Sequence, residues 1–239
     1  MFAAQKYKGD YKMLFDIFTE GFGLNTIMNL MARVFVVFCT LPIHEYAHAY
    51  VATRLGDDTP RLKGRLTLNP LAHLDVMGAV MIFLVGFGYA KPVPVNPRKF
   101  KNSKTGLALT ALAGPLSNII MAVIFMFLAN AFNVAMIYTN GMIVTQVAML
   151  FFTFAAQINV SLAIFNLIPI PPLDGSKIIS LFIPSKYYFK ILQYERYIVL
   201  AIFALIVFGV LDAPLSFLTS YAVQGISWLT SLPFRIFIG

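Results

Sequence analysis

Two histidines four positions apart enclose a glutamate in His44-Glu45-Tyr46-Ala47-His48. On a helix, residues four apart share a face, so His44 and His48 can offer two imidazoles to one divalent cation. Glu45 stands beside them and can take a proton from a water that the cation acidifies. This is the H-E-x-x-H spacing of zinc hydrolases, in which the metal brings the pKa of water to roughly 7. The stretch just before it, from Val34 to Ile43, carries no charge. Hydrolytic metal chemistry is therefore placed inside an apolar helix. Polar groups at membrane depth are costly and usually functional, which argues that these three side chains form a site.

Catalytic zinc takes three protein ligands and keeps one position for water. The remaining histidine, His73, sits in Asn69-Pro70-Leu71-Ala72-His73-Leu74-Asp75, a loop with polar partners of its own, and reads as a loop residue. Asp174 is the stronger candidate. It follows a proline-broken helix in Asn166-Leu167-Ile168-Pro169-Ile170-Pro171-Pro172-Leu173-Asp174-Gly175. Broken helices at membrane depth free backbone groups and line polar cavities. The residues alone leave a second role equally open, as a cap for a helix starting near Ser176. Cys39 lies on the side of the helix away from the histidines and reads as a small packing residue. With one cysteine, no intrachain disulfide forms.

The elements that must position these groups follow from composition. The 239 residues are 59% hydrophobic and 12% charged. A soluble domain carries about twice that charge. The net charge of +8 sits in loops, with Arg61, Lys63 and Arg65 in one cluster and Lys91, Arg98, Lys99, Lys101 and Lys104 in another. Such loops suit lipid headgroups and cytoplasmic placement, and they favour that reading over nucleic-acid binding, so no nucleic-acid partner is expected. Residues 1–23 read as a tail or a short interfacial helix. No cleavable signal is expected, because the first apolar run holds the His44–His48 motif.

A long helix is predicted over Asn25–Leu55, stopped by Gly56-Asp57-Asp58-Thr59-Pro60. Arg61 to Asn69 partly alternates and predicts short strands. The run from Val76 to Tyr89, about fourteen residues, is shorter than the roughly 20 that span a bilayer. Lys91-Pro92-Val93-Pro94-Val95-Asn96-Pro97 can only be an extended edge. Further helices are predicted over Thr105–Asn133, Met142–Ile168 and Tyr197–Leu211, with a weaker amphipathic segment at 214–239.

The chain is thus read as an α-helical polytopic membrane protein of about 5–6 membrane helices. A short β-strand or re-entrant element lies between the first and second long helices. It forms a single membrane-embedded domain over 1–239, with the catalytic core at about 25–178 and C-terminal helices at 197–239.

His44-Glu45-Tyr46-Ala47-His48, together with Asn166 to Pro169 leading into Leu173-Asp174-Gly175, resembles the site-2 protease family of intramembrane zinc metalloproteases. Gly114-Pro115-Leu116-Ser117-Asn118 matches a further motif of that family. Leu68 to His73 and Lys91 to Asn96 resemble its compact prokaryotic branch, which has no PDZ domain. The resemblance implies one Zn²⁺ held by His44, His48 and Asp174, with Glu45 as catalytic base. It places Asn118 and Asn166 near the site, where they polarise the scissile carbonyl, hold a substrate strand or bond between helices. It also implies transmembrane proteins as substrates, in the setting of the lipid bilayer, and leaves a homo-oligomer open.

An extended substrate can add to an open edge, which makes Val93, Val95 and Asn96 candidate contacts. For the two metal elements to meet, the first and third long helices must run parallel, with Val76–Tyr89 not crossing. The basic loops then share one side, and the site of this multi-pass cell-membrane protein opens toward the cytoplasm. The rival readings are a membrane zinc transporter or metal sensor using the same ligands, neither of which needs Glu45 beside the metal.

Overall fold

The computed structural model describes residues 23–78, 80 and 90–238, and helices dominate it. Helix α1 (Leu24–Phe35) passes through a wide π turn at Val36–Thr40 into α2 (Leu41–Arg54). The wide turn has a local cause. Pro42 has no N–H for the carbonyl of residue 38, and its ring crowds that carbonyl. An extra residue in the turn absorbs the misfit. The outcome is one apolar rod of 31 residues with the His44–His48 motif in its second half.

Two single-turn helices follow, α3 (Thr59–Leu62) and α4 (Pro70–His73). They correct the expectation of a β element, for no strand occurs among the described residues. Local signals outweigh the partial alternation of 61–69. Pro60 and Pro70 occupy first-turn positions, where a missing N–H costs nothing. The side chain of Asp57 accepts from the Thr59 N–H at 3.0 Å, and that of Asn69 from the Leu71 N–H at 3.1 Å. Gly64, at φ 67°, then turns the chain away. Residues 90–96 carry no regular secondary structure, and a 3₁₀ turn at Pro97–Lys99 closes them. The run Val76–Tyr89 lies largely outside the described residues, as does the tail before Gly23.

Helix α5 (Ser103–Tyr138) starts on a cap in which the Asn102 side chain accepts from the Thr105 N–H at 3.2 Å. Its 36 residues rise about 54 Å, well beyond an apolar layer of about 30 Å. A short loop reverses the chain into α6 (Ile143–Asn166), which stops before the prolines. There follow α7 (Asp174–Ile179), α8 (Ser185–Leu192), α9 (Glu195–Val207) and α10 (Asp212–Ser231).

Three rods are long and apolar enough to cross a membrane: Leu24–Arg54, Ser103–Tyr138 and Ile143–Asn166. The predicted C-terminal helix and the amphipathic segment after it form one pair bent by 80°, which makes a fourth if it counts as a single span. The described helices therefore supply three or four spans where 5–6 were expected.

The rods pack through small residues. Ala32 of α1, Phe125, Met126 and Ala129 of α5, and Ala155 and Ala156 of α6 form one buried cluster. Alanines let helix backbones approach closely where apolar solvent supplies no hydrophobic drive. The outer face of α5 presents Leu116, Ile120, Ile124 and Phe127, each 42–52% exposed. A stripe of that kind is the build of a membrane protein. Cys39 is exposed as well, so it is not the packing residue that the sequence predicts.

Candidate metal centre

The wide turn and α2 bring His44 and His48 to one buried face, and the break after α6 returns Asp174 to the same place. Nε2 of His44 and Nε2 of His48 stand 3.0 Å apart. Oδ2 of Asp174 lies 3.4 Å from the first and 3.1 Å from the second. All three residues are buried and form a group able to hold a metal ion. A tetrahedral centre with bonds of about 2.0–2.1 Å sets its ligand atoms about 3.3 Å apart. The triangle fits zinc.

Hydrogen bonding sharpens the fit. Nδ1 of His48 lies 2.7 Å from the carbonyl oxygen of Thr110, which can only accept. Nδ1 therefore donates, and Nε2 keeps a lone pair. That lone pair faces a carboxylate oxygen, also an acceptor. Two acceptors at this distance need a cation or a shared proton between them.

The Thr110 carbonyl is within reach because of Gly114. In a helix the side chain four residues on shields a carbonyl, and glycine has none. A Cβ at Gly114 would come within 2.6 Å of His44 Cε1 and would collide with the His48 ring. Pro115, next in the chain, removes another helix hydrogen bond at this level. Gly175 has a comparable role at the break. A Cβ there would strike the carbonyl oxygens of Leu167 and Ile168, so only glycine lets Asp174 fold back against the end of α6.

Glu45 is buried one residue from His44, in electrostatic reach of His48 and of Lys177. Asn118 lies one turn beyond Gly114 on the same stripe of α5; it is buried, and its Nδ2 has no partner among the described residues. Asn166 is the last residue of α6 and is half-buried. His73 is buried away from the metal group, with Nε2 2.8 Å from the Thr67 carbonyl. It ends the helical turn α4, where the sequence predicts a loop.

Val93, Val95 and Asn96 lie on a stretch that follows α2. Ala90 packs with Val37 and Leu41 where α2 begins, and the Asn96 N–H donates to Asp57 Oδ2 at 2.6 Å just past its end. Six extended residues cover about 20 Å, which matches the roughly 20 Å rise of α2. Burial pushes the Asp57 carboxyl up. Bonds from Thr59 and Asn96, with the Lys99 ammonium 3.7 Å away, outweigh burial and hold it below its ordinary 3.8. Arg65 braces the same element through the carbonyls of Ala72 and Lys91. Asp57 and Arg65 as pins, and Lys177 beside the metal group, have no counterpart among the residues singled out from the sequence. The spacing of Lys177, three residues after Asp174, was the signal available.

The chain matches the family described as Peptidase family M50 over residues 32–210. It is 42% identical over 167 residues to a Bacillus subtilis protein named "Putative zinc metalloprotease YwhC", covering 69% of this chain and 74% of that one. It is 31% identical over 143 residues to "Putative zinc metalloprotease Rip2" of Mycolicibacterium smegmatis, covering 57% of this chain and 51% of that relative. A third relative, "Putative zinc metalloprotease MJ0611" of Methanocaldococcus jannaschii, is 30% identical over 104 residues, 44% of this chain and 49% of its own. No solved structure gives a significant match.

Proposed function

The chain belongs to peptidase family M50 and is a zinc metallopeptidase, and from that premise we propose that it hydrolyses peptide bonds in or next to transmembrane segments of other membrane proteins. The observation that carries this reading is the buried triangle of His44, His48 and Asp174, with Glu45 beside it, set among helices long and apolar enough to span a bilayer. His44, His48 and Asp174 are the proposed zinc ligands. When bound, zinc supplies a Lewis acid that lets water ionise near neutral pH. Glu45 takes the proton from the attacking water and passes it to the leaving amine. Thr110 holds the His48 ring in the tautomer that presents Nε2. Burial of the group excludes bulk water, which strengthens each of these interactions. Asn118, whose amide donor has no partner among the described residues, is proposed to bond a substrate carbonyl or a neighbouring helix.

A helical substrate hides its carbonyls in its own hydrogen bonds and must unwind to be cut. The extended stretch through Val93, Val95 and Asn96, running along the metal helix, supports strand addition as the way an unwound segment is held. We also place the opening of the site toward the cytoplasm. Lys104 Nζ bonds the Ile183 carbonyl at 2.8 Å, so the basic loop before α5 and the Lys186 region share one end of the molecule, and basic loops mark the cytoplasmic side. Cysteines introduced at Lys63 and Lys101 are expected to label from the same face; labelling from opposite faces contradicts this arrangement.

Glu45→Gln tests the reaction. Cleavage of a membrane substrate is expected to fall by at least about a hundredfold, with bound zinc unchanged. Cleavage at the wild-type rate in that variant would end the mechanism.

A further inference from the structure

Asp174 has two carboxylate oxygens with different neighbours. Oδ2 faces both imidazoles. Oδ1 is 2.9 Å from Nζ of Lys177, one helical turn further along α7. Two zinc-ligating arrangements are open to a free carboxylate: one oxygen on the metal, or both. The second fills the position that water needs. An ammonium on Oδ1 selects the first.

We propose that Lys177 is a positioning residue of the metal centre, holding Oδ1 of Asp174 so that Oδ2 alone reaches the metal and a coordination position stays open for water.

The surroundings of the ammonium agree with this assignment. Asp174 is 8% exposed at its side chain, so its orientation is set by contacts and little by solvent. Glu45, Tyr188 and His48 lie within electrostatic reach of the same ammonium. The carboxyl groups of Glu45 and Asp174 both lie within reach of that ammonium. A surface lysine at the same spacing would give a weak i,i+3 pair. Lys177 is itself 38% exposed at its side chain, but its acceptor is buried and takes part in the site, which makes the contact more than a helix-surface pair. Gly175 and Ser176 complete the fixture. Glycine allows the tight return against α6, and Ser176 Oγ donates to the Leu173 carbonyl at 2.7 Å, which anchors the first turn of α7.

The inference rests on the zinc-peptidase reading, and the experiment separates the two. Wild type, Lys177→Met and Lys177→Arg are compared as full-length detergent-solubilised protein for zinc content, the visible spectrum of the cobalt-substituted form, and kcat and KM on a membrane substrate. Supporting partners of a metal ligand are worth about 10–100-fold. Lys177→Met is therefore expected to keep its zinc, lose about 10–100-fold in kcat with KM little changed, and give a weaker cobalt spectrum of higher coordination number. Lys177→Arg restores much of kcat and the wild-type spectrum, because a guanidinium keeps a charged donor on Oδ1. A Lys177→Met protein with wild-type kcat and spectrum overturns the inference and leaves the peptidase reading intact. Equal loss of zinc in both variants also overturns it, as a purely structural role would produce. Wild-type protein that binds neither zinc nor cobalt overturns the parent reading first.

Discussion

His48 is fixed by a carbonyl 62 residues away in sequence, on a different helix. Asn96 is fixed by a carboxylate just beyond the end of His48's own helix. The metal group and the extended stretch beside it thus lie against the same helix, α2, but they are secured differently. The metal group is built from rigid rods in direct contact, with a missing side chain at Gly114 making the space. The extended stretch is built from side chains that reach across loops: Asp57 to Asn96 and Thr59, and Arg65 to Ala72 and Lys91. Rods tolerate no change of volume at their contacts. Pinned loops lose stability in increments, one hydrogen bond at a time. Damage to the first region should therefore abolish chemistry, and damage to the second should weaken substrate handling.

The largest effect is expected at Gly114. In Gly114→Ala the new methyl group must displace the imidazoles or separate α5 from α2. A shift of about 1 Å in a catalytic group costs on the order of a hundredfold, so activity should fall at least that far and zinc should be lost to chelators more readily. Normal zinc retention and activity would show that the helices move apart freely, and the contrast between the regions would fail.

An intermediate effect is expected at Asp57. Asp57→Ala leaves two backbone N–H donors without their acceptor, at roughly 1–3 kcal/mol. Thermal stability in detergent should drop by about that amount, KM should rise more than kcat falls, and zinc content should stay at the wild-type level. Loss of zinc in this variant would join the two regions into one mechanical unit.

The smallest effect is the pH dependence of the same carboxylate. Its folded pKa lies below its ordinary 3.8. The stabilisation is therefore fully present above 3.8 and disappears as pH falls through the depressed value. Melting curves of wild type and Asp57→Ala should differ at pH 6 and converge below pH 3.8. A gap that stays constant into that range would mean that the carboxylate does not carry the pin.

What could be read from the sequence follows the same division. His44, Glu45 and His48 were visible because helical spacing writes a shared face directly into the order of residues; three prolines announced a break before Asp174, but a helix cap stayed equally open there until the family resemblance implied a ligand. Thr110 left no trace, since its contribution is a carbonyl that any residue would supply; Gly114 was visible as part of a motif, without its reason. The extended character of 90–96 could be read from its prolines. The strands expected over 61–69 could not form, because Asp57-Asp58-Thr59-Pro60 and Asn69-Pro70 start helical turns more strongly than a weak alternation starts a ladder. Among the described residues, two apolar runs in the C-terminal part form a single bent pair, a tertiary feature with no signature in hydropathy.

One cation held jointly by α2 and the start of α7 is the centre of the proposed mechanism. Zinc X-ray absorption on the purified full-length protein, with metal counted per chain, tests this directly. The prediction is one zinc per chain with two imidazole nitrogens and one carboxylate oxygen in its shell, and loss of that oxygen in Asp174→Ala. A spectrum with sulfur or a single imidazole, or one unchanged in Asp174→Ala, would contradict it.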